Sequence, residues 1–235
     1  MSSYKAVLFD LDDTLLDRDK AVEKLFFILL EKCYVDISDS LKREMLLEFK
    51  EQDKQSYGQK DKTKVLESFF AMFPPKYRIP HNDILAFWNK HFPYCFSVNQ
   101  ARINIVNKIK NQARVAIITN DTIHRQKAKI QNTNLHSYFD PIIISDEVGL
   151  SKPGKRIFEL ALNMLNVQPE EALFVGDDIE IDINGCQNAH IKGVWFNPRK
   201  IKNPTEIKPF AEIHSFDCLL NYFSLDNNVG FRKQK

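Results

Sequence analysis

Three carboxylates fall within four residues where an apolar run ends: Ala6-Val7-Leu8-Phe9 is followed by Asp10, Leu11, Asp12 and Asp13, then Thr14. A second run, Phe174-Val175, ends in Gly176-Asp177-Asp178, and Asp182 lies about one helical turn further on. Like charges gathered at one place repel unless a cation or bound protons offset them. A solvated acidic loop is the plain alternative for the first group. For the second it is helix capping, above all for Asp178, because carboxylates favour helix N-termini. Two further apolar runs end in polar groups: Ile117-Ile118 in Thr119 and Asn120, and a loop Gly149-Leu150-Ser151 in Lys152-Pro153. Acids, hydroxyl, amide and lysine together make a site for a metal and an anion. Hard oxygen donors with no His or Cys point to Mg²⁺ rather than zinc.

Such residues must be carried by something. The runs Ala6–Phe9, Val115–Ile118, Ile142–Ile144, Ala172–Val175 and Gly193–Phe196 are short, mostly β-branched or aromatic, and read as buried parallel strands. Helical patterns lie between them, at 103–110, 123–131, 157–165 and 179–189. Strands alternating with helices predict a doubly wound α/β core, whose ligand crevice lies off the carboxyl ends of the strands. Residues 18–97 have a different texture. Four amphipathic stretches, centred on Leu25–Leu30, Leu41–Phe49, Val65–Phe73 and Ile84–Phe92, show helical spacing and no strand pattern. A separate N-terminal domain would leave the strand Ala6–Phe9 outside any sheet. The expected division is therefore a core of residues 1–17 and 98–235 interrupted by a helical insert, 18–97. The insert aromatics Phe69, Phe70 and Trp88 could stack on a base, but their spacing predicts ordinary core. The polar tail 227–235 is expected to fray.

Composition narrows the classes. The 235 residues are 43% apolar and 27% charged, ordinary values for a globular chain, and the net charge is only +2. That balance gives no basic footprint for nucleic acid, and none is expected as a partner. Cys33, Cys95, Cys186 and Cys218 are scattered, without C-x-x-C spacing, which predicts reduced thiols rather than zinc ligands or a disulfide framework. The longest apolar run near the N-terminus, Leu25–Leu30, is far below the ~20 residues of a membrane span. A cytoplasmic protein with no membrane partner, a monomer or weak homodimer, is the expectation.

On these residues the chain resembles the haloacid dehalogenase-like (HAD) superfamily hydrolases, in the subfamily with a helical cap inserted after the first core strand. The D-x-D-x-T motif is matched by Asp10, Asp12 and Thr14, the threonine motif by Thr119, the lysine motif by Lys152-Pro153, and G-D-D-x-x-x-D by Gly176, Asp177, Asp178 and Asp182. Each is weak alone; four in order, each after an apolar strand, are specific. The resemblance covers about residues 4–223. Gly154 and Lys155 depart from a frequent acid and proline, and His190 from a frequent glycine.

The resemblance implies a Rossmann-like core with a four-helix cap. It also implies an Mg²⁺-dependent phosphatase of a small phosphorylated metabolite, of the nucleotide or sugar phosphate class. Asp10 is the implied nucleophile, forming an aspartyl-phosphate, and Asp12 the acid and base. The Asp10 and Asp177 side chains and the Asp12 carbonyl are the implied metal ligands. Thr119, Asn120 (through its backbone N–H) and Lys152 bind the phosphoryl group, with Asp178 or Asp182 behind them, pairing with Lys152. A carboxylate at position 12 disfavours a dehalogenase, because halide leaves without a proton. A phosphomutase, or a metal- and phosphate-binding protein without turnover, are the competing readings; a phospho-acceptor switch would be about half this length.

Overall fold

The computed structural model describes residues 4–223; the tail 227–235, expected to fray, lies outside the described residues. The chain begins with β1 (Ala6–Phe9), followed by four helices, α1 (Arg18–Cys33), α2 (Asp39–Gln55), α3 (Thr63–Met72) and α4 (His81–His91). Next come α5 (Gln100–Lys110), β2 (Arg114–Thr119), α6 (Ile123–Asn132), β3 (Ile142–Ile144), α7 (Ser145–Val148) and α8 (Lys155–Leu165). The chain then forms β4 (Ala172–Gly176), a π-helical turn (Ile179–Asn184), α9 (Gly185–Asn188), β5 (Lys192–Phe196) and β6 (Ala211–Ile213).

The strands form one sheet in the order β3-β2-β1-β4-β5-β6, every neighbouring pair parallel. This is the doubly wound α/β fold expected from the alternation of runs. The pleat sorts β1 by parity. Val7 and Phe9 join one apolar cluster with α1–α6, while Ala6 and Leu8 join another with α8 and Cys186. Burial on both faces explains why these runs show no polar alternation.

Two elements differ from expectation. β6 was not foreseen: it is a three-residue edge strand, Ala211-Glu212-Ile213, with no apolar run to signal it. The helix expected over 179–189 opens into a π turn first. The Ile183 N–H reaches back to the Asp178 carbonyl, one residue beyond α-helical spacing, before α9 begins. His190, where a glycine is frequent in the family, sits at φ +60°.

The first four helices lie between the central strand β1 and its neighbour β2. Phe26, Phe49, Phe69 and Trp88 are fully buried and in mutual contact, so these aromatics are core rather than a stacking platform. At the junction, Leu16 bridges to Val98, so the chain enters and leaves the helical block side by side. The loop between α2 and α3 reaches α6 and α7: the Arg125 guanidinium donates to the Lys60 carbonyl, and Lys60 pairs with Asp146.

Candidate active site

β1, β2 and β4 all end at one cavity of about 120 Å³, lined by Asp10, Asp12, Thr119, Asn120, Lys152, Asp178 and Asp182 from the sheet side. Arg18, Tyr57, Gln59 and Lys62 line it from the helical side. Four sequence-distant segments thus meet where the fold predicts a ligand crevice.

Lys152 ties the cavity together. Its buried ammonium donates to Asp10 Oδ1 at 2.5 Å and to Asp182 Oδ1 at 2.6 Å. Burial opposes its charge, but the two carboxylates outweigh that and hold the proton on. Asp182 reaches it because of the π turn, and its second oxygen accepts from the Asp178 N–H. Gly176 makes room: a Cβ there would lie 2.4 Å from Asp182 Oδ2. Of the two candidates for pairing with Lys152, the structure selects Asp182. Asp178 is the helix N-cap, its Oδ1 accepting from the Glu180 and Ile181 N–H groups.

Asp10, Asp177 and Asp182 each offer an oxygen within 4.8 Å of the others. Thr14 Oγ1 donates to Asp177 Oδ1, and Trp195 holds the Asp177 carbonyl. With all three ionised, these carboxylates would face a single lysine with two negative charges in excess. Burial and this mutual repulsion push Asp10 up to about 7 and Asp177 well above the carboxylate range. An all-oxygen set with two uncompensated charges fits a hard divalent cation. Asp182 is engaged by Lys152 and the Asp178 N–H, which leaves Asp10 and Asp177 as the more available side-chain donors.

Asp12 has a partner that the sequence reading missed. Lys129, fully buried on α6, donates to Asp12 Oδ2 at 2.6 Å, while its ammonium lies 4.5 Å from the centre of the Phe96 ring. Burial works against the Asp12 charge, but Lys129 and Arg18 outweigh it and hold the carboxyl below its ordinary value. Asp12 Oδ1 is buried and has no hydrogen-bond partner among the described residues. One oxygen is therefore anchored and the other is left for chemistry.

Gln126, also missed, donates to Thr119 Oγ1 at 2.7 Å and to the Asn120 carbonyl at 2.9 Å. Because Thr119 accepts there, its own proton is available to an anion. The Asn120 side chain clamps the lysine loop instead, donating to the Lys152 carbonyl and accepting from the Lys152 N–H. The Asn120 side chain is thus committed to the lysine loop at both its oxygen and its nitrogen. Arg18 is buried but neutralised by a two-point pair with Asp53, at 3.1 and 2.7 Å.

The model of the family described as haloacid dehalogenase-like hydrolase matches residues 7–196. A protein named glyceraldehyde 3-phosphate phosphatase, from Pyrococcus furiosus, is 33% identical over 218 residues, covering 90% of this chain and 89% of that one. The pyrimidine 5'-nucleotidase PynA of Streptococcus pneumoniae is 27% identical, covering 96% of this chain and 97% of its own. Among solved structures, the magnesium-bound HAD-hydrolase YfnB of Bacillus subtilis shares the fold with a TM-score of 0.78 at 22% identity, covering 94% of this chain and 99% of that one. With the motif residues converging on one cavity, the chain belongs to the haloacid dehalogenase-like hydrolases.

Proposed function

We propose that this hydrolase is an Mg²⁺-dependent phosphatase of small phosphorylated metabolites that works through an aspartyl-phosphate on Asp10. The observation that carries the reading is the placement of Asp10: it follows the central strand, touches Lys152, lines the cavity, and shares an all-oxygen cluster with Asp177 and Asp182. The printed names of the relatives, a triose phosphate phosphatase and a nucleotidase, support the class.

Asp10 attacks phosphorus, and the bond from phosphorus to the ester oxygen breaks. Lys152, the Thr119 hydroxyl and the Asn120 N–H offset the charge on the phosphoryl oxygens. Asp12 Oδ1 gives the leaving oxygen its proton. A phosphate dianion brought beside Asp12 raises its proton affinity, against the lowering by Lys129, so the carboxyl can carry a proton when substrate is bound. Water then attacks phosphorus, Asp12 takes its proton, and Asp10 is regenerated. Mg²⁺, held by the Asp10 and Asp177 side chains and the Asp12 carbonyl, would supply charge neutralisation between nucleophile and phosphate. Asp182 positions Lys152, and Asp178 shapes the turn that presents Asp182.

Residues 18–97 serve as a cap over the strand ends, hinged where Leu16 and Val98 meet. The cavity is small against the ~300 Å³ or more typical of drug-sized ligands, which favours a phosphoryl group on a short chain. Turnover of p-nitrophenyl phosphate tests the reading. Mg²⁺ should support it, EDTA should abolish it, and Asp10→Asn should lower it by several powers of ten. Undiminished turnover in EDTA would reject the metal, and near wild-type activity of Asp10→Asn would reject the nucleophile.

A further inference from the structure

Lys62 stands just before α3, in the loop that reaches the cavity from the helical side, and only 4% of it is exposed. Its ammonium donates to the Ser56 carbonyl at 2.6 Å and to Ser56 Oγ at 3.0 Å, both neutral acceptors. An ammonium has three protons to donate, so one remains. The carboxylates whose charge it feels are already taken: Asp53 by Arg18, and Asp121 by Arg125. This group of five charges therefore carries one uncompensated positive charge, at a wall of the substrate cavity. Lys62 has no counter-ion of its own among the described residues; a buried cation so placed is costly, and the cost is relieved when a ligand brings an anion. Burial, reinforced by Arg18, lowers Lys62 to about 8, which still leaves it mostly charged at neutral pH.

We propose that Lys62 is a second anion-binding position on the helical side of the cavity. The preferred substrate is then a short phosphomonoester that carries a further anionic group, a carboxylate or a second phosphate. The proposal rests on the phosphatase reading for the first phosphate and adds the chemistry of the rest of the molecule. Neutral sugar phosphates and simple alkyl phosphates lack the group that Lys62 requires. The small cavity confines the two anions to a separation of a few carbon atoms.

Non-hydrolysable phosphonates of equal chain length separate the possibilities by calorimetry on the full chain with Mg²⁺. Propylphosphonate offers one anion, 3-phosphonopropionate adds a carboxylate, and propane-1,3-bisphosphonate adds a second phosphonate. The wild-type protein should bind one or both of the doubly anionic ligands about tenfold or more tightly than propylphosphonate, as expected of a charge-assisted hydrogen bond. Whichever is tighter identifies the second group. Lys62→Met and Lys62→Gln should bring the ratios to within about twofold of unity, and Lys62→Arg should restore most of the preference.

Equal wild-type affinities for all three would overturn the proposal, as would a ratio that survives in Lys62→Met. The ratios do not depend on turnover. Tight discrimination in a protein inactive toward every phosphoester would uphold Lys62 and reject the phosphatase reading. Turnover of p-nitrophenyl phosphate without discrimination would do the reverse.

Discussion

Lys129 is a charged residue set over the rings of Phe92 and Phe96, with Asp12 as its one ionic partner among the described residues. Such a pair stabilises little against a well-packed apolar substitute, yet removing one member strands the other. Lys129→Met should therefore cost about 3 kcal/mol or more in urea denaturation at neutral pH. Adding Asp12→Asn should recover much of that loss, and a double variant as unstable as the single would show that Lys129 acts through packing alone. At Lys62 the same physics gives a pH dependence. Its charge is lost as pH rises through about 8, while Arg18 and Arg125 stay charged against Asp53 and Asp121. The preference of the wild-type protein for 3-phosphonopropionate over propylphosphonate should be full near pH 6.5 and fade above about pH 8. Taking the ratio cancels the titration of the shared phosphonate, and a ratio that grew with pH would contradict the assignment.

Among the elements, the π turn after β4 does most to build the site, because it carries Asp182 back over Gly176 to Lys152. Gly176→Ala puts a methyl group onto the Asp182 carboxylate, backed by buried sheet that cannot yield. Turnover should drop roughly 10–100-fold, the range for disturbing groups that orient the reacting ones. A kcat within twofold of wild type would mean that Asp182 does not position Lys152. The four motif segments were legible in the sequence because a buried strand ending in acids, hydroxyl or lysine is a rare pattern with few structural uses. The wider helical turn was not, since one residue more per turn leaves no trace in the spacing of Ile179, Ile181 and Ile183. Lys129, Gln126, Arg18 and Lys62 were hidden for another reason. On an amphipathic helix or polar loop a polar or charged residue reads as solvent-facing, and only tertiary contact shows that these four point inward. β6 was missed because a three-residue edge strand carries almost no apolar signal.

At the scale of the whole molecule, the sheet brings Asp10, Lys152 and the acidic cluster to one crevice, and the inserted helical block delivers Arg18, Tyr57 and Lys62 to its other side. One apolar cluster runs from these helices into the face of the sheet bearing Phe9. Among the described residues no helix is long and apolar enough to cross a membrane. On the proposed reading, the oxygens of Asp10 and Asp177 hold a divalent cation on the folded chain. Titrating the metal-free protein with Mg²⁺ should raise its Tm, and Asp177→Asn should weaken that rise at least tenfold in the Mg²⁺ concentration needed. A Tm that does not move in the wild-type protein would reject cation binding, and an Asp177→Asn response equal to wild type would place the cation elsewhere. Covalent phosphorylation of Asp10 is tested most directly by quenching the Mg²⁺-loaded protein in acid during turnover of p-nitrophenyl phosphate and mapping the bound phosphate by mass spectrometry. Phosphate is expected on the peptide carrying Asp10, located at that residue and absent when EDTA is present. Phosphate on another residue, or full turnover with Asp10 never modified, would contradict it.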